Sequence, residues 1–149
     1  MRRVVIIIGL TAVLAAGCST GDSGTTPATG LPENPERCEE ADPRVLDFLR
    51  TGIVVDEVEL PWGFAVKSQD FSDVWIVTAA VEIPGDIDYG TWAIRARVWP
   101  ESYVGAVSVD EIAMRVSNFG EGTDIVVTNA ADGVLSAQSC AIARLELAG

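Results

Sequence analysis

Val74–Ile83 reads VWIVTAAVEI, ten positions of which only Thr78 and Glu82 are polar. A run this short and this continuously apolar suits a central strand covered more fully than its neighbours. Upstream, EVELPWGFAVK (Glu57–Lys67) alternates: Val58, Leu60, Trp62, Phe64 and Val66 share one side, with Glu57, Glu59 and Lys67 opposite. That period of two predicts a second strand. Pro61 cannot donate to a ladder and marks an edge strand or a bulge. Downstream, TWAIRARVW puts Trp92, Ile94, Ala96 and Val98 on one side and Arg95 and Arg97 on the other. The linkers SQDFSD and PGDIDYG have turn composition. Three strands at such spacing predict an antiparallel meander.

Helical periods flank them. In ADPRVLDFLRTG, Asp42 suits the N-cap, Pro43 the first turn, and Val45, Leu46, Phe48 and Leu49 the buried stripe, up to Gly52. In SVDEIAMRVSNFG, Ser108 and Glu111 form a capping-box pattern ahead of Ile112, Met114, Val116 and Phe119. TDIVVTN predicts a short strand. DGVLSAQSCAIARLEL reads as a last helix or strand, the helix being preferred. The expected fold is α+β: a small antiparallel sheet of three to four strands with helices packed on one face.

The start of the chain is of another kind. Arg2 and Arg3 precede an apolar run from Val4 to Ala16, which small residues close. This is the layout of an export signal, and it is short of the roughly 20 residues that cross a bilayer. Ser19 to Glu36 is rich in Gly, Thr, Ser and Pro, the composition of a flexible tether. The expected organisation is a signal over 1–17, a tether over 18–36 and one domain over 37–149.

LAAGC, ending at Cys18, resembles the lipobox of bacterial lipoproteins. The resemblance implies cleavage between Gly17 and Cys18, an acylated Cys18, and a membrane-anchored location facing the extracytoplasmic side. It implies no cofactor beyond that covalent lipid. Loss of Arg2 and Arg3 would leave 8 basic residues against 22 acidic ones, a net charge of about −14. Such a chain repels nucleic acid and anionic headgroups. With Cys18 lipidated, Cys38 and Cys140 remain as a pair, expected to form a disulfide outside the cytoplasm. The alternative, a redox or metal role, calls for further ligands, and the chain has no histidine.

Signs of catalysis are few. There is no GxSxG, no Ser-x-x-Lys, and Lys67 is the single lysine. Asp86 and Asp88 in PGDIDYG are weak candidates for a hard cation, and a hairpin turn explains them more simply. Glu57 with Glu59 suit a solvated strand face, and Asp110 with Glu111 a helix start. Among the four tryptophans, Trp62 and Trp92 are expected in the core. Trp99 with Arg95 and Arg97 forms a possible contact patch, since aromatic and arginine side chains dominate binding hot spots.

FAVKSQDFSDVWIVTAAVEI, GTWAIRA, SVDEIAMRVSNFGEGT and ADGVLSAQSCA resemble small secreted lipoproteins of actinobacteria and their phages or prophages. That likeness bears on location and architecture, not on mechanism. The resulting expectation is a non-catalytic binding module for an envelope protein or small ligand, partnered by the membrane through its lipid and not by nucleic acid. A phage-borne lipoprotein blocking DNA entry and a carboxylate-based envelope hydrolase are the alternatives.

Overall fold

The computed structural model describes residues 35–120 and 126–148. Cys18, the signal over 1–17 and all but the last two residues of the tether lie outside them. A 3₁₀ turn, Pro35–Arg37, leads into β1 (Glu39–Glu40) and α1 (Pro43–Arg50). Then come β2 (Gly63–Lys67), β3 (Val74–Ile83), β4 (Asp86–Val98), β5 (Ser102–Ser108), α2 (Glu111–Val116) and α3 (Val134–Ala148). The strands form one antiparallel sheet in the order β1-β2-β3-β4-β5. The α+β class holds, with five strands where three or four were expected.

The helices cover both faces, not one. Val45, Leu46 and Leu49 of α1, with Ala113 and Val116 of α2, pack on Val77, Ala79, Val81, Trp92 and Ile94. Val134 and Ala137 of α3 pack on Val66, Val74, Ile76, Ala93 and Val107, whose side chains leave the sheet on the other side. This is why Val74–Ile83 is apolar at both parities: each parity meets a different helix layer. The two buried threonines of this layer, Thr78 and Thr91, bond each other at 3.0 Å, and Gln138 of α3 donates to Thr91 at 3.2 Å. Gly133, at φ 91°, starts α3 where a Cβ would meet Val66 and Ile76 at 3.2 and 3.3 Å.

Pro61 marks a bulge. Glu59 bridges Glu82, whereas Gly63 pairs with Ala79, so the first pair of residues is separated by one more position than the second. One extra residue reverses the facing of all that follows. Leu60 therefore joins the α1 side, while Val66 joins the α3 side. Trp62, expected in the core, is only half-buried, with the Arg144 guanidinium 4.8 Å over its ring. Trp92 is fully buried, as expected.

The helix ends follow local chemistry. Asp42 caps α1, accepting from the Arg44 amide at 2.9 Å, with Pro43 at the first position. Asp110, not Ser108, caps α2, accepting from the Ala113 amide at 2.9 Å. Ser108 ends β5 instead, and α2 stops at Val116, short of Phe119. The strand expected at 123–129 falls partly outside the described residues, and Val126–Asn129 form none.

Cys38 and Cys140 are disulfide-bonded, 102 residues apart. Beside them the Arg37 guanidinium grips both carboxylate oxygens of Asp132, at 2.8 and 2.6 Å, and donates to the Lys67 carbonyl at 2.8 Å. The chain thus enters the domain at the β2–β3 turn, where β3 begins. The β3–β4 turn, Pro84–Gly85, lies at the opposite end of the sheet, roughly 30 Å away along β3.

Candidate functional site

At that far end lies a groove of about 340 Å³, the size range of small-ligand and side-chain pockets. Its floor is Val81 and Ile83 of β3, with Ile112 and Val116 of α2. Val55 closes one side and Arg115 reaches in from α2. The register explains the polar wall: Asp88 lies opposite Val81 and Asp86 opposite Ile83, so both aspartates share the groove side of the sheet. The segment bearing Val55 is fixed to α2 by the Val54 amide on the Val116 carbonyl at 2.9 Å and by the Ile53–Ser117 bridge.

Two further hollows share walls with this groove. Ile83 also borders one of about 450 Å³ carrying Glu57, Glu59 and Glu82. Asp88 and Ile112 also border one of about 200 Å³ carrying Asp110 and Glu111. Asp86 and Asp88, expected as a plain turn or a weak cation site, sit on the rising strand and line the groove. Each orients one oxygen to the next amide, Ile87 at 2.9 Å and Tyr89 at 2.8 Å. Among the described residues no three carboxylates or thiols converge as a metal site requires.

A retaining or inverting glycosidase places its two carboxyl groups on either side of the bond to be cut. Asp86 and Asp88 stand two apart on one strand and so side by side on one wall. They offer attraction for a cation more readily than an acid facing a base.

The suggested Trp99–Arg95–Arg97 patch is divided. Trp99 stacks on Trp75 at 4.3 Å, on the α1 side, and its indole N–H donates to Glu39 at 3.0 Å. Arg95 pairs with Val74 across the ladder, on the α3 side, and meets Asp73 at 3.2 Å. The pairing of β4 with β5 shifts register between Arg95 and Ala96 and again before Val98, which breaks the alternation that grouped the three. Arg97 is exposed. Trp99 belongs instead to a row of rings: Trp75, Trp99, Tyr103, Phe48 and Phe119, each in contact with the next. Burial within that row pushes the Tyr103 hydroxyl above its ordinary pKa, and it donates to the Pro100 carbonyl at 2.5 Å. These rings are satisfied mainly by one another.

The sequence matches no protein-family model, no curated protein and no solved structure. Geometry and charge carry the functional reading.

Proposed function

We propose that this chain is a lipid-anchored, extracytoplasmic, non-catalytic binding module that receives an envelope protein or small ligand in the groove between α2 and the β3–β4 hairpin. The observation carrying this reading is the groove itself: an open apolar floor with carboxylates on one wall, at the end of the sheet farthest from where the chain enters. Attachment through Cys18 would leave that end facing outward. The Cys38–Cys140 bond fits an oxidising compartment.

A photo-crosslinking amino acid at Val55 tests it in cells, with one at Leu135, on the outer side of α3, as control. Both positions are exposed, at 42% and 58%. The expected result is a discrete adduct from position 55 and none from position 135. Equal labelling from both, or none from either, overturns the reading. An adduct with an incoming phage's protein would specify the superinfection-exclusion version.

A further inference from the structure

We infer that the occupant of the groove is a small zwitterion with an aliphatic body, of the kind of a free amino acid such as leucine. This rests on the groove being the binding site and adds the chemistry of what binds. Charges of both signs line this one hollow without satisfying each other. Asp86 and Asp88 stand on the β4 wall, and Arg115 reaches in from α2. Among the described residues Arg115 forms no ion pair, so its guanidinium stands more than 4.0 Å from either carboxylate. Asp86 and Asp88 each give Oδ1 to the next backbone amide, which leaves Oδ2 for a ligand. The rest of the lining is aliphatic: Val55, Val81, Ile83, Ile112 and Val116. By register Asp86 lies opposite Ile83 and Asp88 opposite Val81, so all three kinds of lining belong to the face that α2 covers.

Each part of the lining excludes a simpler ligand. A bare cation meets Arg115, and a bare anion meets two carboxylates. A neutral apolar molecule strips water from three charged groups and gives them nothing in return. A zwitterion answers each. Its ammonium has three donors for the Asp86 and Asp88 oxygens, and its carboxylate fits the Arg115 fork. Its alkyl group covers the aliphatic lining. The groove volume of about 340 Å³ lies at the low end for ligand pockets, which suits a molecule of amino-acid size.

Equilibrium dialysis of the full-length chain against isotope-labelled L-leucine tests this, with unlabelled competitors. Binding is expected with a Kd of about 1 mM or tighter. L-Leucinamide lacks the carboxylate, isocaproate lacks the ammonium and L-serine lacks the alkyl group; each is expected to compete at least tenfold more weakly. Arg115→Gln is expected to erase the preference for leucine over leucinamide. Asp86→Asn/Asp88→Asn is expected to erase that for leucine over isocaproate. Thermal unfolding of each variant checks that it is folded; Asp86 and Arg115 are exposed, so their replacement removes no core contact. Equal competition by leucinamide overturns the inference in favour of a cation, such as a peptide N-terminus. Equal competition by isocaproate overturns it in favour of an anion. Preferences unchanged in both variants place the bound leucine elsewhere and overturn it too. In cells, the adduct at position 55 is expected as the added mass of one small molecule. A protein adduct there, with no leucine retained in dialysis, sinks the zwitterion and leaves the binding module; no adduct of any kind sinks the module itself.

Discussion

Ser117 joins three elements through one oxygen. It lies 3.0 Å from the buried Trp92 indole N–H, 3.0 Å from the Ser108 hydroxyl of β5, and 2.7 Å from the Ala113 carbonyl of α2. Ser117→Ala would strand the Trp92 donor in a dry core. The expected loss is about 1–3 kcal/mol in urea unfolding, the cost of a buried unpaired group; no change would show that water replaces the hydroxyl. Asp132 carries a pH dependence. Its hydrogen bonds from Arg37, then from the Gln69 amide, hold its carboxyl below the ordinary value of 3.8. A folded pKa below the unfolded one contributes stability that is complete above the unfolded value and is lost as pH falls through the folded one. Asp42, held at about 2 chiefly by Arg44, adds the same sign. Melting temperature is therefore expected to drop from about pH 4 downward. Asp132→Asn should melt lower at neutral pH and fall less steeply in acid; parallel curves would exclude Asp132 as a source of the slope.

At the scale of elements, stability is unevenly placed. β1 has two residues, both exposed, and pairs with β2 only through Glu39 and Glu40. The Cys38–Cys140 bond, which closes 102 residues, ties that region covalently to α3. Cys38→Ser/Cys140→Ser is expected to cost about 2–5 kcal/mol, most of it from greater freedom of the unfolded chain. Hydrogen exchange should show faster opening of β1 and α3 than of β3; uniform acceleration would mean the bond stabilises the whole sheet alike. The same scale shows what could be read from residue patterns. α1 and β3 were legible because each has an unbroken period and clear boundaries. β2 was legible as a strand, and Pro61 as a marker of either an edge strand or a bulge. Which side each residue then faced was not, since a single inserted residue exchanges the two sides. β5, Ser-Tyr-Val-Gly-Ala-Val-Ser, has little alternation to detect, and β1 owes its existence to its neighbour. The groove was invisible for a related reason: Val55, Ile83, Asp88 and Arg115 come from separate segments, and only the ladder register places Asp86 and Asp88 beside Val81 and Ile83.

For the whole molecule, the balance of charge and the position of the chain's start matter most. Among the described residues no helix is long and apolar enough to cross a membrane. The proposed function places attachment at Cys18. Cys18→Ser is expected to move the protein from the membrane fraction to the soluble fraction, or to leave the precursor uncut; unchanged processing and retention would exclude lipid anchoring there. The groove lies across the length of the sheet from Arg37, so in the proposed function a partner would be held without crowding the membrane. The disulfide then has a mechanical meaning. Cys38 directly follows the 3₁₀ turn, and its partner sits in α3, the longest helix among the described residues. Tension arriving along the backbone from the N-terminal side passes at Cys38 into a covalent link with α3, which lies broadside on β2, β3 and β4. Load is spread over a helix instead of peeling a two-residue strand from an edge, so a tug between anchor and captive would reach the groove end last.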